Sequence, residues 1–256
     1  MIDSGIYGSA SYTMLCQARL QVEELIIANR RKDEFLAVLA HELRNPLAAI
    51  HNGIRLLSHQ TQDTAVPQKI EAMIERQVRR MIQLVDELLD VSRITHGRLR
   101  LQRERMDLRD VVKNAIQTLE SNLKQCNHRL TTTLPDTPVW LQADPTRLEQ
   151  VFVNLLANAS KYTNTGGELA VSVHARDGQA VVRVRDSGVG IAPEVLPHLF
   201  DLFRQADEAA PHSQSGLGIG LALVRNLVES HGGSVTGASA GLGRGSEFTV
   251  CLPREA

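Results

Sequence analysis

The sequence predicts a multidomain chain with two folds in series: an all-α antiparallel helical hairpin, then an α+β two-layer sandwich with helices on one face of a mixed sheet. Two observations carry this. Up to about residue 97 apolar side chains recur at helical spacing, and beyond Arg98 short alternating runs interleave with helical ones. At 256 residues the chain is long enough for two domains, each with its own core.

Residues 1–14 lack periodicity and are rich in small side chains, so a disordered leader is expected there. From about Leu15 to His59 the chain reads as one helix on the order of 65 Å long. Its apolar seam, Leu36, Leu39, Leu43, Leu47, Ile50, Ile54 and Leu57, is spaced by threes and fours. After a polar connection ending at Pro67, a second helix follows on Ile74, Val78, Met81, Val85 and Leu88 and ends near Gly97. Two long helices with one apolar stripe each bury those stripes best against a second copy, so a homodimer with a four-helix bundle is expected.

The second region, 98–256, opens with a strand near Leu99 to Met106 and a helix from about Leu108 to Gln125. Strands are expected at Arg129 to Leu134 and Val139 to Gln142. Asp144 and Pro145 then start a helix with an oxygen-bearing cap and proline at its first position. Glu168 to Ala175 and Ala180 to Arg185 alternate around Asp177-Gly178, a two-residue hairpin signal. A helix from about Gly220 to His231 stops at Gly232-Gly233, and Ser234 to Ala238 with Glu247 to Leu252 supply the last strands.

Composition excludes several functions. Lys plus Arg (28) nearly balances Asp plus Glu (29) and no basic run interleaves with aromatics, so nucleic acid is not an expected partner. Cys16, Cys126 and Cys251 form no CxxC, which argues against a disulfide framework or zinc site and for the reducing cytoplasm. No run reaches the ~18 apolar residues of a membrane span, so no membrane contact is expected within this chain.

Four constellations carry chemistry. His41 falls about 150° from the apolar seam, with Asn45 one turn on along the same outer face, so the imidazole is expected to face water or a partner. Pro46 lacks the N–H a helix interior needs and clashes with the Glu42 carbonyl, at a cost of about 3 kcal/mol, which marks either a functional bend or a harmless kink. Next, Asn154, Asn158 and Lys161 share one helix face, followed by Tyr162; amide oxygens suit hard Mg²⁺ and an ammonium suits phosphate. Third, Asp186, Gly188 and Gly190 follow a strand, where a carboxylate can accept from an exocyclic amine and glycines allow close approach of a flat base. Finally, Gly216, Gly218 and Gly220 open the last helix, whose free N–H groups favour phosphate. Each signal alone is weak, but three in one fold point to a nucleotide.

Taken in order, these motifs resemble the core of bacterial sensor histidine kinases of two-component systems over about residues 20–254. HELRNP at 41–46 resembles the phosphoacceptor box, NLLANASKYT at 154–163 the Asn box and DSGVGIA at 186–192 the first glycine box. LFDLF at 199–203 resembles the phenylalanine box, SGLGIGLAL at 215–223 the second glycine box and GLGRGSEFTV at 241–250 the terminal glycine-rich strand entry. The resemblance implies a signalling coiled coil (15–33) cut from a larger protein with an upstream sensor, a dimerization and histidine phosphotransfer domain (34–97), and an ATP-binding domain of the Bergerat type (98–256). His41 would be the phosphoacceptor, Glu42 the general base or orienter on the other ring nitrogen, and Asn45 the position that handles water when a phosphorylated response regulator is dephosphorylated. Asn158 and Asn154 would hold Mg²⁺, Lys161 would meet phosphate, Tyr162 the adenine, and Asp186 the adenine amine. Gly188, Gly190, Gly216, Leu217, Gly218 and Gly220 would line ATP. The expected partner is a response regulator receiver domain.

Two positions depart from the pattern: Ser215 replaces a glycine common in the family, and Gln205 stands where some members carry a phosphate-binding arginine, both near the expected lid, Leu202 to Gly216. Related ATPases of the same fold activate water with a glutamate one turn before the Mg²⁺-binding asparagine; here that residue is Asn154, which favours transfer over hydrolysis. The alternative function is a non-catalytic dimeric scaffold that senses nucleotide. The eight other histidines show no metal spacing, and Phe200, Phe203 and Trp140 read as packing residues.

Overall fold

A computed structural model describes residues 5–57, 65–95, 100–202 and 218–255. The chain separates into two compact units, residues 1–81 and 82–256.

In the first unit, helix α1 runs 53 residues from Gly5 to Leu57 and is unbroken at Pro46. It takes in most of the leader expected to be disordered. Residues 5–14 hold no proline, and extending an existing helix gains one hydrogen bond per residue fixed, so weak periodicity did not end it. Helix α2, Ala65–Thr95, begins two residues before Pro67, where a proline lacks only an N–H that has no helical partner. The expected seam of α1 is split. Glu42, Pro46 and Gly53 form the buried line, Leu39, Leu43 and Ile50 are half-buried, and Leu36, Leu47 and Ile54 stay open. At Gly53 a Cβ would come within 2.9 Å of the Met73 Cε and 3.0 Å of Ile74, so the glycine sets a close crossing of α1 with α2.

The second unit contains a five-stranded mixed sheet under three helices. Its elements are β1 (Glu104–Asp107), α3 (Leu108–Gln125), β2 (Arg129–Thr133), β3 (Trp140–Ala143), α4 (Pro145–Tyr162), β4 (Glu168–Arg176), β5 (Gln179–Asp186), α5 (Gly220–Ser230), β6 (Ser234–Ala238) and β7 (Ser246–Pro253). The sheet order is β2-β4-β5-β7-β6, with β2 parallel to β4 and all other pairs antiparallel; β1 and β3 form a separate ribbon. Along β4, β5 and β7 alternate residues are buried: Leu169, Val171 and Val173, then Ala180, Val182 and Val184, then Phe248, Val250 and Leu252. They meet Val112 of α3, Leu148, Phe152, Leu155 and Leu156 of α4, and Leu223 and Leu227 of α5 in the core layer. This is the two-layer sandwich the sequence implies.

The local signals hold at their residues. Asp144 caps α4 by accepting from Arg147 N at 3.1 Å, and Asp177 and Gly178 both take positive φ (51° and 74°), as a type I′ hairpin requires. Asp107 caps α3 in the same way. Burial pushes its carboxyl toward neutrality, but Arg109 and the amides of Val139 and Arg109 outweigh burial and hold it below the usual carboxylate range. The last turns of α2 belong to this unit because Asp90, 5% exposed, accepts from Arg147 and Gln150 of α4, each at 2.8 Å.

Candidate functional site

The HELRNP motif, 41–46, lies on α1. Residues one apart on a helix diverge by about 100°, and the three motif side chains separate accordingly. His41 and Asn45 are exposed, whereas Glu42 is only 6% exposed and turned inward. His41 and Asn45 thus stand on the outer face as expected, with Glu42 on a different one.

In the second unit the nucleotide motifs converge. Asp186 ends β5 with its carboxylate buried. Oδ1 accepts from Gly188 N at 2.8 Å and Ser246 N at 3.3 Å, and Oδ2 accepts from the Ser246 hydroxyl. An ionised carboxylate has about four acceptor positions, so this arrangement fixes the group while leaving capacity for one more donor. Ser246 lies within the terminal glycine-rich motif, where a serine at a strand start has no periodic signal; the β5 to β7 pairing of Asp186 with Ser246 brings it to the carboxylate.

The glycines of this region make room for the chain itself. A Cβ on Gly188 would stand 2.2 Å from the Tyr162 carbonyl oxygen, one on Gly190 2.1 Å from that of Gly241, and one on Gly245 2.1 Å from that of Asp186. Close approach is thus spent first on docking the 186–191 segment against the end of α4 and against the 241–245 loop. Val189 N donates to the Tyr162 carbonyl at 3.0 Å, and Gly243 N to that of Val189 at 2.7 Å. Tyr162 is half-buried beside this segment, with Lys161 Nζ 4.9 Å from its ring centroid.

Asn154 and Asn158 project from a half-buried flank of α4 beside its core residues, and neither side chain is hydrogen-bonded within the described residues. Their amide oxygens are unspent. Two neutral oxygen donors one turn apart fit Mg²⁺, which keeps several waters and takes further oxygens from substrate phosphates. The start of α5 lies alongside, since a Cβ on Gly220 would be 3.5 Å from Asn154 Oδ1. No side chain caps this helix at Ile219, so its first N–H groups suit phosphate oxygens. Gly218 turns into it at φ 66°, a conformation glycine adopts without strain. Gly216, Leu217, Ser215, Gln205, Phe203 and nearly all of the expected lid lie outside the described residues. Phe200 is packing, edge-on to Phe248 with ring centroids 6.4 Å apart.

Comparison with known proteins addresses both halves. Residues 31–97 match the His Kinase A (phospho-acceptor) domain, and residues 143–256 match the Histidine kinase-, DNA gyrase B-, and HSP90-like ATPase family. The chain carries a sensor histidine kinase core. The core is 38% identical to the sensor histidine kinase TrcS of Mycobacterium tuberculosis over 97% of this chain and 49% of TrcS. It thus spans about half the length of that relative. Among solved structures it is similar to the Acinetobacter baumannii histidine kinase AdeS (26% identity, TM-score 0.61, 84% of this chain and 98% of that one). It is also similar to ShkA, solved full-length in complex with AMPPNP (27% identity, TM-score 0.64, 87% of this chain and 46% of that one). No helix among the core's described residues is long and apolar enough to cross a membrane.

Proposed function

We propose that this core is an ATP-dependent protein-histidine kinase that phosphorylates His41 and passes the phosphoryl group to an aspartate on the receiver domain of a response regulator. The observation that carries the reading is an exposed imidazole in the phosphoacceptor region of a chain that also holds a buried, singly receptive carboxylate beside a magnesium-type pair of asparagines. In the transfer, a lone pair on one His41 ring nitrogen forms the P–N bond while the bond from γ-phosphorus to the bridging oxygen breaks. The electron pair leaves with ADP. The proton on the other ring nitrogen goes to a base, a role assigned to Glu42 once its side chain swings outward from its buried position.

Asp186 accepts the adenine amine on its remaining lone pair, with Ser246 holding the carboxylate in plane. Tyr162 lies against the base, Lys161 meets phosphate, and Gly216, Leu217, Gly218 and Gly220 present backbone to it. Asn158 and Asn154 would hold Mg²⁺, which would supply charge neutralisation at the phosphate oxygens. Asn45 orients water for dephosphorylation of the regulator. The open apolar side chains Leu36, Leu47, Ile54, Val78, Ile82, Val85 and Leu89 support a homodimer. The boundaries 34–97 and 98–256 remain our functional division, and ATP use puts the core on the cytoplasmic side.

Incubation with γ-labelled ATP and Mg²⁺ tests this. Label that is acid-labile and alkali-stable, is absent from His41→Gln and moves to a receiver aspartate is expected. Tight nucleotide binding with no label under any condition would instead identify a nucleotide-sensing scaffold.

A further inference from the structure

The loop between β6 and β7 contains a hydroxyl whose bonds all go to backbone around the nucleotide motif. Ser239 Oγ accepts from Ile191 N at 3.0 Å and from Gly241 N at 3.2 Å, and it lies 2.7 Å from the carbonyl oxygen of Gly245, to which it donates. A second carbonyl, that of Gly241, is 3.2 Å away and competes for the same proton. One donor and two acceptor positions are thereby used in full. Ser239 has no capacity left for a ligand.

These bonds stitch together two glycine-rich segments. Gly245 N donates to the Gly188 carbonyl at 3.1 Å and Gly243 N to that of Val189 at 2.7 Å, so with Ile191 and Ser239 the two segments are joined at three successive points. The 241–245 loop reaches this arrangement with φ of 114°, 73° and 67° at Gly241, Gly243 and Gly245. Glycines in such conformations have many alternatives when unfolded or released, so the loop needs an anchor to stay in one of them. Ser239 is that anchor. The same loop leads into Ser246, whose amide and hydroxyl hold Asp186.

We propose that Ser239 is a positioning residue for nucleotide binding: it fixes the 188–191 backbone and, through the 241–245 loop, the orientation of Asp186 toward the base. The inference rests on the ATP-binding reading above. Because Ser239 touches neither the phosphates nor His41 in this scheme, its loss acts on nucleotide affinity and leaves the transfer step at saturation unchanged.

The test is titration of the full chain with Mg-ATP and with AMPPNP, alongside initial rates of His41 labelling, for wild type, Ser239→Ala, Ser239→Thr and Ser239→Cys. Leaving the half-buried amides of Ile191 and Gly241 and the Gly245 carbonyl without this partner is expected to raise Kd and KM for ATP about tenfold in Ser239→Ala, with kcat within about twofold of wild type. Ser239→Thr, which keeps the hydroxyl, is expected to restore Kd. If the alanine variant does not fold, the weaker thiol of Ser239→Cys decides, with a rise in Kd of about threefold expected. Unchanged Kd in the folded alanine or cysteine variant overturns the role of Ser239 while ATP binding by wild type stands. So does a fall in kcat with KM unaltered. Absence of nucleotide binding by wild type itself overturns both readings.

Discussion

His231 shows how one side chain ties distant parts of the second unit together. It is 4% exposed; Nδ1 is 2.8 Å from the Leu227 carbonyl, and Nε2 accepts from Asp144 N at 3.0 Å. Only the neutral ring with its proton on Nδ1 satisfies both contacts. Burial lowers its proton affinity; the Leu227 carbonyl and Asp144 oppose that shift, and Arg103 adds to it. The folded state therefore binds this proton more weakly than the unfolded chain does. Stability contributed by the neutral ring is complete above the unfolded value of about 6.5 and is lost as pH falls from there toward the lower folded value. Denaturant midpoints measured between about pH 7 and pH 5 should fall for wild type and flatten in His231→Gln. Equal slopes in the two proteins would show that the ring does not titrate differently on folding. The sequence gives this residue no role, because one partner is a carbonyl a turn back on its own helix and the other is the amide that opens α4, 87 residues away.

Among the elements, α4 is the one on which both core and site depend. One face, Leu148 to Ala159, is core, and the other carries Asn154, Asn158 and Lys161. Its start is held by Asp144, which caps Arg147 N through Oδ1 and accepts from Gln102 N at 2.9 Å through Oδ2. Asp144→Ala should cost about 1–2 kcal/mol, read as a lower urea midpoint with unchanged slope. A midpoint within error of wild type would mean water replaces the cap. Elements such as this were legible in the sequence, since Asp-Pro, the apolar period and Asp177-Gly178 act over a few residues. The beginning of α1 was not, because helix continuation needs no periodicity. Ser239 and Ser246 were invisible for another reason: their meaning arises where β5, β6 and β7 bring together segments some 50 residues apart.

For the whole molecule, the sequence divided the chain by change of pattern, whereas packing divides it at residues 81 and 82. Buried Asp90 and its two partners on α4 account for the difference, and no rule of spacing announces a single carboxylate meeting an arginine 57 residues away. Assembly is the other property at this scale. Val78, Ile82, Val85 and Leu89 are each 42–56% exposed and repeat at four, three and four along α2. Replacing Ile82 and Val85 by Asp should convert a dimer to a monomer in light scattering, while the nucleotide affinity of the second unit persists. A dimer that survives both changes would place the contact between copies elsewhere.

The crossing at Gly53 has a mechanical corollary. The side chains of Met73 and Ile74 fill the space over Gly53, so turning the first helix about its axis by one residue would press Asn52 or Ile54 against them and force them to repack. Torque applied to the rod should therefore meet resistance at this crossing and pass into the second helix.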